Sequence, residues 1–421
     1  MSKIKKALKK PRVFFADMLV KHSEHHLMPE KVLDHKVVSQ FIEKYRSKDK
    51  VFISSTNPNE RFNLNFLEEY KVVLCSGEGL SAGMAHIELW LPSFIHANIN
   101  FIVLVRHAVL YEVLLHKYPD LSIVFCKRPI DVENFFSRNT SIRTVFYPSS
   151  TGNNIHLVRF EKLKHIFIGH GDSDKASSAN KALRLYDEIW TAGQAHIDRF
   201  KNSPFDTNHI KFNIIGRPNA YKYLKSAQNF WSSENINFLY LPTWEGFMEE
   251  ANYSSLHFST NIIALLREFT EHQVSVKFHP LTGNRDKYLS KIDLNLVRYA
   301  NKYQINVNNY TKDICLDTVI NNYNVFICDI SAVITDCLAL DHPIFVYIPL
   351  DKEINIAQSE MQYKDYCYTF STIEELNQKL QQVIKGSDYL KDNRRKALDY
   401  LLNYDATLNQ KFVAELRQLQ K

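Results

Sequence analysis

The chain has 421 residues, more than a single hydrophobic core usually organises, so two domains are the default. Hydrophobic residues make up 45% and charged residues 23%, ordinary values for a globular protein; with 11 Gly and 13 Pro, long disordered linkers are not expected. The net charge of +6 resides in residues 1–22, where Lys3, Lys5, Lys6, Lys9, Lys10, Arg12 and Lys21 outnumber the one acid, Asp17.

That basic stretch also carries Val13, Phe14, Phe15, Met18, Leu19 and Val20. Cations beside an aromatic and aliphatic cluster suit an anionic membrane surface, where each Lys or Arg contributes about 1 kcal/mol and apolar side chains enter the headgroup boundary. Residues 1–30 are therefore read as a membrane-associating arm. Nucleic acid is not an expected partner, because no recognition-helix or RNA-platform motif follows the basic run. The segment "HSEHH" (22–26) lies in a polar linker, and no metal site is expected there or elsewhere.

Strands are expected at 51–55, 71–76, 99–105, 122–126, 143–148, 165–169, 187–192 and 211–216. A second series is expected at 236–242, 274–280, 323–329, 343–349 and 366–370. Helical patterns fall between them, among them 106–118, 178–186, 254–272, 312–322 and 331–340, and the tail 374–421 reads as amphipathic helices. Strands alternating with helices imply βαβ units and mostly parallel sheets, hence an α/β chain with two doubly wound, Rossmann-like domains. The expected division is 31–217 and 218–385, followed by C-terminal helices at 386–421.

Six cysteines are scattered through mainly apolar runs and form no C-x-x-C pair, which argues against a zinc knuckle or disulfide framework and for a reducing compartment. No secretory h-region is present, nor any run of about 18 apolar residues that would span a bilayer.

In open α/β sheets, ligands bind beyond the carboxyl ends of the strands. The residues placed there include His170 in "HIFIGHGDSDK", Thr243 and Trp244 after "INFLYLP", His279 after "VSVKF", and Asp329 and Ser331 after "NVFIC". A Ser331 hydroxyl at a helix start can cap it, and the amides there favour a phosphate. A second His-Pro pair, His342-Pro343, precedes its strand and is read as structural. Neither a Walker loop nor G-x-G-x-x-G occurs, which argues against an NTPase or a nicotinamide enzyme.

Taken in order, these residues resemble the CDP-glycerol glycerophosphotransferase family. Its H-G-T-P-x-K motif resembles His170-Gly171-Asp172-Ser173-Asp174-Lys175, and its G-x-P-R-N-D motif resembles Gly216-Arg217-Pro218-Asn219. Tyr240-Leu241-Pro242-Thr243-Trp244 matches Y-x-P-T-W, and Lys277-Phe278-His279-Pro280 matches K-x-H-P. Asp329-Ile330-Ser331-Ala332-Val333-Ile334-Thr335-Asp336 resembles D-Y-S-S-V-x-x-D, and Pro343 to Tyr347 matches P-I-x-x-Y. Earlier, "CSGEGLSAGMAH" (75–86) resembles the glycine-containing loop of the acceptor domain. The departures are Asp172-Ser173 for Thr-Pro, Ala332 for the second Ser, and no counterpart of a later Arg-Gly segment.

The resemblance implies a GT-B architecture, two Rossmann-like domains facing across a cleft. It implies transfer of glycerol phosphate from CDP-glycerol to a hydroxyl of a lipid-linked saccharide or polymer primer, in capsule or teichoic-acid-like biosynthesis, with release of CMP. His170 is then the expected base and His279 the group that meets the diphosphate. Thr243, Trp244, Lys277, Asp329, Ser331, Ala332, Asp336 and Arg217 fall on the donor side, and Gly77, Gly79, Gly171, Asp172 and Lys175 on the acceptor side. Asp172 or Asp174 is expected to orient the His170 imidazole. No bound cofactor is expected, and a role for Mg2+ is left open. The implied location is cytoplasmic, on the inner face of the cell membrane. Two other readings stand beside this one: a GT-B glycosyltransferase using a CMP-activated sugar acid, and a non-catalytic membrane adaptor of a capsule complex.

Overall fold

Runs such as Val72–Ser76 and Val325–Asp329 are apolar on both strand faces, as parallel strands covered on each side require. The computed structural model describes residues 70–420, apart from 218–219, 221–234, 247, 271–273, 311–313, 351–352, 387 and 405–407. The basic stretch 1–22, the histidine-rich 22–26, the strand expected at 51–55 and most of the 216–236 linker lie outside the described residues.

The first sheet is built from β1 (Val72–Ser76), β2 (Phe101–Val105), β3 (Ile123–Phe125), β4 (Thr144–Tyr147), β5 (Lys164–Phe167), β6 (Glu188–Thr191) and β7 (Lys211–Ile214). Helices α1 (Leu80–His96), α2 (Ala108–Lys117), α3 (Pro129–Arg138), α4 (Ile155–Val158) and α5 (Gln194–Lys201) connect them. The strand order is β3-β2-β1-β4-β5-β6-β7. β1 is paired parallel on both sides, with Leu74 opposite Val103 and Phe146.

The second sheet has β8 (Phe238–Leu241), β9 (Val274–Lys277), β10 (Val307–Tyr310), β11 (Val325–Asp329), β12 (Ile344–Tyr347) and β13 (Tyr368–Phe370), in the order β10-β9-β8-β11-β12-β13. Its helices are α6 (Ser259–Arg267), α7 (Ile292–Lys302), α8 (Val333–Leu338), α9 (Tyr363–Tyr366), α10 (Ile373–Ile384), α11 (Lys391–Leu402) and α12 (Leu408–Gln418). Alternate residues feed two buried clusters. Leu239, Phe326, Cys328, Ile344 and Val346 enter one, and Tyr240, Val325, Ile327, Phe345 and Tyr347 enter the other.

The chain forms two compact units. One takes the described residues up to His170, with Leu185–Asp187 and the residues from Glu415 onward; the other takes Gly171–Arg184 and Glu188–Ala414. In each sheet the strand order reverses once, between β1 and β4 and between β8 and β11, and such switch points are where α/β sheets bind ligands.

Three sequence expectations are corrected. The helix expected at 178–186 is two 3-10 turns, because Asn180 between them is extended and bonds locally to Ala182 N (2.9 Å) and Ser177 O (2.7 Å). The helix expected at 312–322 likewise contains 3-10 turns at Leu316–Thr318 and Ile320–Asn322, with Val319 out of helical geometry between them. Strand β10 was not expected, since its Val-Asn-Asn-Tyr sequence is poor in strand formers. Among the described residues no helix is long and apolar enough to cross a membrane.

Candidate active site

At the switch point of the first sheet, the chain leaves β1 through Gly77, Glu78 and Gly79 and enters α1. A Cβ on Gly77 would come 2.3 Å from Thr151 Oγ1, so the turn tolerates no side chain there. Glu78 Oε2 accepts a hydrogen bond from His86 Nδ1 at 2.6 Å, one helical turn and more into α1. The His86 ring lies flat against the ring of His170, with centroids 3.7 Å apart and planes 13° from parallel. Burial pushes the Glu78 carboxyl up, but the hydrogen bond and charge of His86 and the charge of His170 bring it below the usual carboxylate range.

His170 follows β5 after two residues. Gly169 adopts φ +63°, a conformation that glycine takes without strain, and its carbonyl accepts the Trp90 indole N–H at 2.6 Å. The exposed His170 places Nδ1 3.0 Å from the carbonyl oxygen of Pro148, just past β4. A carbonyl only accepts, so Nδ1 carries the proton and Nε2 of the neutral ring presents a lone pair. That is the tautomer a base needs.

In the other unit, His279 follows β9 and has the opposite arrangement. Its Nδ1 accepts the Leu281 N–H at 3.1 Å, so the neutral ring carries its proton on Nε2 and presents a donor. Trp244 lies beside it, ring centroids 6.2 Å apart and planes within 18°. The loop after His279 is tied down by buried Glu245, whose carboxylate accepts the amides of Gly283 (2.9 Å) and Asp286 (3.2 Å). Gly283 needs to be glycine, since φ is +79° and a Cβ would meet Ser290 at 2.3 Å.

Asp329, the last residue of β11, is fully buried. Its Oδ2 accepts the amides of Thr243 (2.7 Å) and Ser255 (3.1 Å). Burial raises its carboxyl to about 7, against those hydrogen bonds and the nearby Lys175 charge. Lys175 donates to Thr243 Oγ1 at 3.2 Å and sits 5.2 Å above the Tyr253 ring; burial lowers its ammonium to about 8.

Several site expectations change. Lys175, placed on the acceptor side by sequence, is grouped in one unit with Thr243 and Asp329, which the sequence placed on the donor side. Gly171, expected to leave room for an acceptor, makes room for Ala332: a Cβ there would lie 2.7 Å from the Ala332 Cβ. Asp172 and Asp174 are buried and engaged with Arg199, at 2.5 and 2.6 Å, with His196 3.7 Å from Asp172. A buried guanidinium between two carboxylates is a structural ion-pair cluster; the His170 imidazole is held instead by Pro148 and His86. Arg217 and Asp336, expected at the donor, pair with each other at 3.1 Å, and Arg217 also donates to Thr335 Oγ1 at 2.5 Å. Ser331 does not cap α8; its hydroxyl turns back to the Asp329 carbonyl at 3.3 Å. Lys277 ends β9 half-buried, and Gly79 is the extended residue at the start of α1. Pro218 and Asn219 lie outside the described residues. Among those residues, no group of three or more His, Cys, Asp or Glu is placed to hold a metal ion.

A family model described as CDP-glycerol:poly(glycerophosphate) glycerophosphotransferase matches residues 163–416. The chain belongs to that family. This glycerophosphotransferase is a transferase of the kind that uses CDP-glycerol. No curated protein gives a significant sequence match. Among solved structures, it is similar to the wall teichoic acid polymerase TagF soaked with CDPG, with a TM-score of 0.54 at 13% identity over 99% of this chain and 97% of that one. A glycosyltransferase from Rickettsia africae aligns with a TM-score of 0.53 at 12% identity, covering 84% and 99% of the two chains. A UDP-N-acetylglucosamine 2-epimerase, described as putative, from Listeria monocytogenes aligns with a TM-score of 0.53 at 9% identity, covering 83% and 96%. These likenesses show the GT-B fold for the glycerophosphotransferase.

Sequence reasoning gave no role to Glu78, His86 or Glu245. The first two stand in the quoted segment 75–86, where the signal was a carboxylate flanked by glycines directly after a strand.

Proposed function

We propose that the enzyme transfers glycerol phosphate from CDP-glycerol to a hydroxyl of a lipid-linked saccharide or polymer primer and releases CMP, in the assembly of a capsule or teichoic-acid-like polysaccharide. The observation that carries this reading is the His170 tautomer, with Nδ1 held at the Pro148 carbonyl and the lone pair therefore on Nε2. An alcohol is a weak nucleophile at neutral pH, and a positioned base contributes about 10²–10⁴-fold. The acceptor oxygen attacks the phosphorus that bears glycerol, and its proton passes to His170 Nε2. The bond from that phosphorus to the bridging oxygen breaks, and CMP departs with the bond's electrons. Phosphoryl transfer depends mainly on positioning and electrostatic stabilisation, which the Nε2–H of His279 supplies to the diphosphate. Trp244 and Thr243 frame the same side, and Lys175 adds positive charge there.

Residues 1–22 seat the enzyme on the anionic inner face of the cell membrane, which brings it to a lipid-linked acceptor. The solved polymerase soaked with CDPG supports the choice of donor. The test is to offer the full chain CDP-glycerol or CMP-activated sugar acids, with lipid-linked saccharide acceptors, and to follow CMP and acceptor mass. Gain of glycerol phosphate by the acceptor supports the reading; consumption of CMP-sugars alone overturns it.

A further inference from the structure

The mechanism uses His170, yet a short polar contact beside it belongs to two residues without a chemical step. Glu78 sits at the switch point of the first sheet, in a turn closed to side chains at Gly77. It grips His86 Nδ1 at 2.6 Å, and the His86 ring lies on the His170 ring at 3.7 Å. We propose that Glu78 and His86 are a positioning pair for His170: the carboxylate fixes the His86 ring, and that ring fixes the plane and tautomer of His170. This rests on the reading of His170 as the base.

The geometry supplies the reasons. An imidazole can flip about its Cβ–Cγ bond, exchanging Nδ1 with a carbon. Flipping His170 would put a C–H against the Pro148 carbonyl and turn its lone pair away from an acceptor. A flat ring at stacking distance resists the rotation that the flip requires. His86 resists it only while its own ring is held, and Glu78 holds it from the turn that leads into α1. A phenylalanine at position 86 would keep the stacked face and lose the anchor. The ionised Glu78 also interacts electrostatically with His170, and its charge favours the imidazolium.

The experiment uses the full chain and the variants Glu78→Gln, His86→Phe and His86→Ala, with two readouts. The first is steady-state transfer from CDP-glycerol. Misplacement of a reacting group by about 1 Å costs about 100-fold, so His86→Ala is expected to lower kcat to that extent, with KM for CDP-glycerol within about twofold of the parent. His86→Phe recovers part of kcat. The second readout is the tautomer of the His170 ring, from nitrogen chemical shifts of histidine-labelled protein, assigned with His170→Gln. The parent shows one form, protonated at Nδ1; Glu78→Gln and His86→Ala show a mixture. An unchanged His170 signal in both overturns the proposal, as does a kcat within about twofold of the parent. If His86→Ala does not fold, Glu78→Gln and His86→Phe decide by the same two readouts. If the parent fails to use CDP-glycerol, the functional reading falls, while the nitrogen shifts still decide whether the pair positions the ring.

Discussion

Asp329 accepts the Thr243 amide at 2.7 Å, so the last residue of β11 sets the shape of the loop that leaves the neighbouring strand β8. One carboxylate oxygen takes two amides, while the other has no hydrogen-bond partner among the described residues. A carboxyl raised to about 7 by burial keeps its proton in the folded chain where the unfolded chain has lost it. Its contribution to stability is therefore fully present below the ordinary aspartate range and is lost as pH rises to about 7. Asp329→Asn keeps an acceptor for the two amides and does not titrate. The stability of that variant relative to the parent is expected to rise by a few kcal/mol between about pH 4 and 7 and to level off above. Denaturant unfolding across that range checks it, and a difference independent of pH overturns it.

His170 and His279 are expected to fail differently. On the proposed mechanism His170→Ala removes the base, lowering kcat by about 10²–10⁴-fold. It also abolishes the acidic limb of the pH–rate profile, because the parent needs that ring unprotonated. On the same proposal His279→Ala removes a donor to the diphosphate and costs about 10²–10³-fold. It leaves the acidic limb in place. Melting curves that match the parent separate loss of chemistry from loss of fold. Full activity in either variant would favour the adaptor reading.

The strands were legible in the sequence because both faces of each sheet are buried, which writes β11 as Val-Phe-Ile-Cys without polar alternation. The strand-end rule then located His170, Thr243, Trp244, His279 and Asp329. What escaped was set by contacts far along the chain. Asp172 and Asp174 look like loop charges beside His170 until Arg199 of α5 is seen between them. Arg217 and Asp336 each read as a donor ligand because neither sequence position reveals the other. β10 owes its strand geometry to pairing with β9, since its own two asparagines favour turns.

The Arg199 cluster makes a stability prediction. Arg199→Met leaves two carboxylates buried together, one of them already raised to about 6 by burial and by its neighbour Asp172. Breaking a buried ion pair on one side costs about 3–5 kcal/mol. The loss is expected at neutral pH and eases as pH falls and the carboxyls protonate. Urea unfolding at pH 7 and pH 5 measures both the size and the easing.

Gly171 and Ala332 give a sharper test, because the contact runs through single atoms. A Cβ at Gly171 would sit 2.7 Å from the Ala332 Cβ, closer than carbon atoms pack. Gly171→Ala alone is therefore expected to cost about 1–3 kcal/mol, the usual range for overpacking. Ala332→Gly deletes the opposing carbon. The double variant is expected to recover most of the loss, since residues in contact are not additive. An entropic cost of glycine at the start of α8 would fall equally on both backgrounds, so the coupling term of the double-mutant cycle isolates the clash. A coupling near zero would mean that Gly171 is required for its backbone and not for the space it leaves to Ala332.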